Sequence, residues 1–108
     1  MKQSKIVCLC GSTKFVEAYE MANLRETLKG NIVLSIGCNL RNKKHSEEAD
    51  KFEDAKVNLD ALHKRKIDLC NEVLVLDVNG YVGDSTKSEI EYAKQANKTI
   101  RYLSGDSE

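Results

Sequence analysis

Residues 73–93 read VLVLDVNGYVGDSTKSEIEYA. The first six, Val73 to Val78, form an almost continuous apolar run, which is the pattern of a strand buried on both faces. Asn79-Gly80 starts a turn. Beyond it, Ser85 to Asn97 places Ile90, Ala93 and Ala96 on one side of a predicted helix. The rest of the chain alternates in the same way. Lys5 to Leu9 (KIVCL) is a short apolar run ending at Gly11-Ser12-Thr13, and a helical pattern through Phe15, Val16, Tyr19 and Ala22 runs to about Leu28, closed by Gly30. Asn31 to Ile36 (NIVLSI) is a second strand ending at Gly37. The polar stretch from Cys38 to about Glu48 reads as a loop. A long helix follows, roughly Ala49 to Asn71, with Phe52, Ala55, Leu59, Leu62 and Leu69 as its apolar stripe. Thr99 to Leu103 (TIRYL) is a last strand before a polar tail. The order β-α-β-α-β-α-β predicts a parallel sheet with right-handed crossovers. The expected architecture is a small doubly wound α/β domain, Rossmann- or flavodoxin-like, with four to five strands flanked by helices. Ligands bind such sheets at the carboxyl ends of the strands. Function is therefore expected in the Gly11-Ser12-Thr13, Gly37-Cys38-Asn39 and Asn79–Thr86 loops.

The 108 residues fit one domain, and a composition of 41% hydrophobic and 31% charged residues suits a soluble globule with a real core. Seventeen basic residues balance seventeen acidic ones, which argues against a nucleic-acid polymer as partner. No apolar run approaches the length of a membrane span, and the residues before Gly11 are too few for a signal-peptide core. A cytoplasmic protein with no membrane partner is expected. The four cysteines, at 8, 10, 38 and 70, form no Cys-x-x-Cys pair, and no histidine stands at zinc-finger spacing from them. Cys8 and Cys10 share one face of a strand, where cysteine behaves as a small buried hydrophobe. The expectation is reduced structural thiols, with no metal and no cofactor.

The strand-to-helix loops hold the candidate site residues. In Gly11-Ser12-Thr13-Lys14, glycine permits a tight turn, Ser12 or Thr13 can cap the helix, and exposed N–H groups with Lys14 suit a phosphate or carboxylate. The competing reading is an ordinary N-cap beside a surface lysine. This loop fits neither Gly-x-x-x-x-Gly-Lys nor Gly-x-Gly-x-x-Gly. Glu89, four and seven residues before Ala93 and Ala96, points toward the packed side of its helix. Such a partly desolvated carboxylate can serve as nucleophile or general acid/base. Against this, Thr86-x-x-Glu89 is a capping-box pattern in which Glu89 only bonds back to the cap. Lys66 interrupts the apolar stripe and reads as a snorkelling side chain or an anion ligand. His63 is either a ligand contact or a surface histidine, and His45 belongs to a solvated loop.

Three segments together, LCGSTKF at 9–15, LHKRKIDLCNEVLVLDV at 62–78 and GYVGDSTKSEIEYA at 80–93, resemble the nucleoside 2-deoxyribosyltransferase superfamily. Its small bacterial and phage members are the most similar, and the superfamily includes deoxynucleoside 5′-monophosphate N-glycosidases. The resemblance spans nearly the whole chain in element order, and its specific motifs occupy about a third of it. It implies N-glycosidic bond cleavage or deoxyribosyl transfer on a nucleoside or nucleoside 5′-monophosphate, with Glu89 as the nucleophile. It places Gly11, Ser12, Thr13, Lys14 and Gly37 with Asp84, Ser85 and Thr86 around the sugar and 5′ group. The family's second carboxylate, on the helix before the third strand, aligns with residues 62–64, where this chain has no acid. Asp68 and Asp60 lie one helical turn to either side, and His63 is able to take the proton role, so Asp68 and His63 join Glu89 as catalytic candidates. A family tyrosine at the end of strand 1 is replaced here by Leu9-Cys10. A homodimer or larger assembly is implied. The alternative is a non-catalytic module of the same fold that senses or sequesters a nucleotide.

Overall fold

The computed structural model describes residues 4–105, so the end of the polar tail lies outside the described residues. Strand β1 (Ile6–Cys10) leads to helix α1 (Val16–Leu28) and strand β2 (Ile32–Leu34). Helices α2 (Lys43–Ala49) and α3 (Ala55–Leu69) precede β3 (Glu72–Val75). A short 3-10 turn (Val78–Gly80), helix α4 (Asp84–Gln95), strand β4 (Thr99–Tyr102) and a second 3-10 turn (Leu103–Gly105) complete the order. The four strands are all parallel, in the order β2-β1-β3-β4. This is the predicted doubly wound α/β architecture, with the flavodoxin-type order over its four strands.

The chain moves one way from β1 to β2 and the other way from β2 to β3 and β4. Crossovers of one hand therefore put α1 on one face of the sheet and α3 with α4 on the other. The two cores match that division. Val7, Leu9, Leu74 and Leu76 pack with Tyr19 and Ala22 of α1. Cys8, Cys10, Val73 and Val75 pack with Ile67, Ile90 and Ala93 on the opposite face. Alternating residues of β1 and β3 thus feed both cores, which is why both strands read as unbroken apolar runs.

Local chemistry fixes the ends of the elements. The predicted stop at Gly30 forms a Schellman cap: Gly30 has φ +91°, its N–H donates to the Thr27 carbonyl, and Asn31 N–H donates to Glu26. Asn97, at φ +58°, ends α4 with the same pair of bonds, to Lys94 and Ala93. The expected turn at Asn79-Gly80 has both residues at positive φ, 52° and 79°. Gly11 serves a different purpose from the predicted tight turn. Its φ is not positive; instead, an added Cβ would stand 2.9 Å from the Leu76 Cβ. Glycine is needed there because β1 and β3 end in close approach.

Two expectations are corrected. The loop expected at 38–48 contains α2, capped by the Asn42 side chain, which accepts from the backbone N–H groups of Lys44 and His45. This helix has no buried residue, so it leaves no apolar period to read. The long helix begins only at Ala55, after Asp54 in the left-handed region. Its inner face also differs from the predicted stripe: Phe52, Leu62 and Leu69 are exposed, while His63 and Ile67 are buried.

Candidate functional site

The reversal of winding direction lies between β1 and β3, and an open crevice at their carboxyl ends is the expected ligand position. A cleft of about 550 Å³ occupies that place. Gly11, Ser12 and Thr13 form one wall after β1, and Ile36 and Gly37 continue it after β2. Asp84, Ser85, Thr86 and Glu89 of α4 form the facing wall. Helix α3 contributes Leu59, Asp60, His63 and Lys66. The volume is that of an ordinary small-molecule site.

Glu89 stands at the bottom of this cleft, with its side chain only 16% exposed. The capping-box alternative is not realised. Helix α4 starts at Asp84 after Gly83, which makes no side-chain cap, and Thr86 lies inside the first turn rather than at the cap. The Glu89 carboxylate therefore faces His63, with Oε1 3.8 Å from Nε2. Burial raises the Glu89 pKa above the usual carboxylate range, although His63 and the Cys10 thiol pull it down. The nearby charges of Cys8 and Asp60 add to the rise.

His63 is neither a surface histidine nor a simple cleft contact. It is buried between the sheet and Glu89, and its Nε2 lies 3.3 Å from Cys10 Sγ and 3.7 Å from Cys8 Sγ. Burial pushes its pKa down, but the bond to Cys8 and the charges of Glu89 and Cys8 outweigh that and raise it. The Cys10 thiol beside Cys8 lowers the Cys8 pKa to about 5 against its burial, and His63 acts in the same direction. Cys10 is itself raised well above the usual thiol range by the same bond and by burial. The two thiols, the imidazole and the carboxylate thus form one coupled group beneath the cleft.

The other predicted residues divide cleanly. Ser12 accepts from the Lys14 backbone N–H, and the residue that starts α1, Phe15, makes no side-chain cap, so the Ser12/Thr13 cap is not formed. Lys14 is not in the cleft wall; its ammonium lies 3.7 Å from the Tyr81 ring centroid in a cation–π contact. Lys66 does not snorkel freely: it lines the cleft, and its Nζ donates to the Ser35 carbonyl at 2.7 Å. Asp68 is outside the cleft: the Tyr92 hydroxyl donates to it at 2.7 Å on the exposed side of α3. A helical turn explains the difference. On α3 the cleft-lining positions are 56, 59, 60, 62, 63 and 66, and position 68 lies off that arc.

Sequence reasoning missed Tyr19 and Tyr81. The Tyr19 hydroxyl donates to the Gly11 carbonyl at 2.7 Å and braces the first loop, and Tyr81 packs edge-on to Phe15 at the cleft wall. It also passed over Asp60 as a site residue, although the helical spacing to His63 was a usable signal. No family model, characterised protein or solved structure matches the chain.

Proposed function

We propose that the protein cleaves the N-glycosidic bond of a nucleoside or nucleoside 5′-monophosphate, or transfers its deoxyribosyl group, with Glu89 as nucleophile. The observation that carries this reading is the Glu89 carboxylate, released from any cap, half-buried at the bottom of a small-molecule cleft and facing His63. A desolvated carboxylate is a stronger nucleophile than a hydrated one, and His63 orients it.

In the first step a Glu89 oxygen bonds to the anomeric carbon as the carbon–nitrogen bond breaks, and the leaving base takes the electron pair with a proton. We assign that proton to Asp60, an α3 carboxylate that lines the cleft and pairs with the Lys56 ammonium at 3.5 Å. It stands a short distance along the helix from the position where the resemblance expects an acid. Water, giving its proton back to Asp60, or a second base then attacks the same carbon and releases Glu89. This is retaining-glycosidase chemistry on a C–N bond. The uncapped first turn of α4, with Asp84, Ser85 and Thr86, suits the sugar hydroxyls or a 5′ group, since its N–H groups have no side-chain partner. Assembly as a homodimer at least belongs to the same proposal, and a monomer by light scattering would remove that part.

Liquid-chromatographic detection of free base tests the reading. The protein is incubated with nucleosides, deoxynucleosides and their 5′-monophosphates, with and without an acceptor base. Release from one substrate, reduced by on the order of 10³-fold or more in Glu89→Gln, is expected. Intact substrates throughout, together with a nucleotide that raises the melting temperature, would replace the enzyme with a binding module.

A further inference from the structure

We propose that Cys8, Cys10 and His63 bind a zinc ion beneath the cleft. The three donor atoms lie within 4.8 Å of one another, and all three residues are buried. The separations from Nε2 to the two sulfurs are 3.3 and 3.7 Å. Tetrahedral zinc, with Zn–S near 2.3 Å and Zn–N near 2.0–2.1 Å, sets that separation at about 3.6 Å. The two nitrogen–sulfur separations match edges of a zinc tetrahedron to within about 0.3 Å.

The backbone explains why. Residues two apart on a strand point to one face, so Cys8 and Cys10 present both sulfurs to the α3 side of the sheet. His63 is the residue of α3 that comes down between them. No local spacing rule detects this arrangement, because the histidine arrives from 53 residues away. The remaining buried thiol shows what an inert cysteine does here: Cys70 donates to the Ile67 carbonyl one turn back. Cys8 and Cys10 instead have each other and an imidazole.

Charge and softness select the ion. Two thiolates and a neutral imidazole make a dication electrically neutral, the condition for holding it among Ile67, Val73, Val75 and Ile90. Thiolate and imidazole donors favour zinc over magnesium or calcium, which take oxygen ligands. Three protein donors leave the fourth position of the tetrahedron to a small exogenous ligand.

The site is independent of the glycosidase reading, because zinc is counted without turnover.

The experiment takes the reduced, full-length protein, adds zinc, dialyses, and measures zinc per chain by plasma mass spectrometry. X-ray absorption at the zinc edge counts sulfur neighbours. One zinc per chain with two sulfurs is expected. The Cys8→Ser/Cys10→Ser double variant and His63→Asn should each lose it, with Cys38→Ser retaining it. No stoichiometric zinc in the wild type, fewer than two sulfurs, retention in the double variant, or loss in Cys38→Ser overturns the proposal. Should the double variant fail to fold, the sulfur count in the wild type alone decides.

Discussion

Glu26 and Glu89 are carboxylates held at opposite ends of the sheet in opposite electrostatic states, the first fully buried and the second partly so. Glu26 belongs to α1 and lies near the amino ends of the strands. Arg101 donates to it at 2.8 Å and Asn31 at 3.0 Å, and Lys29 pairs with it at 3.3 Å. Burial pushes its pKa up, but these partners more than offset that and hold it below the usual carboxylate range. Arg101 also binds Glu72 at 2.8 Å, which knits α1, β3 and β4 together. Glu89, at the carboxyl end, has His63 and the Cys10 thiol pulling its pKa down, but burial with the charges of Cys8 and Asp60 outweighs them, and its pKa rises. A carboxylate ringed by donors is held toward its ionised form at one end, and one with fewer donors is held toward its neutral form at the other.

The largest expected effect follows from that contrast. Glu89→Gln should remove base release by on the order of 10³-fold, while Glu26→Gln should leave kcat within about twofold when assayed well below the melting temperature. A Glu26 variant as inactive as the Glu89 variant, with its fold intact by circular dichroism, would break the division between the two ends. The stabilities should run the other way. Glu26→Gln exchanges a charged acceptor for an amide against Arg101, which keeps Glu72. A loss of about 2 kcal/mol is expected, on the order of 10 °C in Tm.

The pH dependence sharpens the same point. Because the folded-state pKa of Glu26 is depressed, its stabilisation is fully present above the ordinary glutamate pKa. It is lost as pH falls through the lowered folded value. Acid unfolding followed by circular dichroism should therefore be less steep in Glu26→Gln than in the wild type. Glu89 has the opposite sign: its raised pKa means that the ionised form costs stability near neutrality. With a chelator present, Glu89→Gln should gain about 1 kcal/mol, a few degrees in Tm. A drop in Tm would show that the carboxylate is a structural support after all.

Neither of these roles was equally visible in the amino-acid order. Period and punctuation locate the strands, α1, α4, the Gly30 stop and the Asn79-Gly80 turn, because those signals are local. They also put Glu89 on the inner face of α4. The state of a buried carboxylate depends on partners far along the chain, and Arg101 is 75 residues from Glu26. Nothing near Glu26 marks it as buried, and the Cys8–Cys10–His63 group is hidden for the same reason. Helix α2 escapes because it buries nothing. On α3 a dense apolar composition misled the period: Leu62 and Leu69 look like core, yet both are exposed, Leu62 along the cleft, while His63 and Ile67 are buried.

Asp68 gives the smallest effect and tests how far resemblance can stand in for geometry. The alignment argument treats it as a candidate for the missing acid, one turn from the family position. In the structure its partners are the Tyr92 hydroxyl at 2.7 Å and, through its backbone carbonyl, the Lys98 ammonium at 3.1 Å. Both contacts are exposed and tie α3 to the α4 side of the domain. Asp68→Asn keeps an acceptor for the tyrosine and removes only an exposed charge, so stability should change by less than about 1 kcal/mol. Base release should stay within about twofold of wild type at saturating substrate. Asp60→Asn, measured beside it, should lower kcat by about 10²-fold or more as a general-acid variant. If Asp68→Asn carried the larger loss instead, the proton would be reaching the leaving base from outside the cleft. The assignment of Asp60 would then fall, even with Glu89 retained as nucleophile.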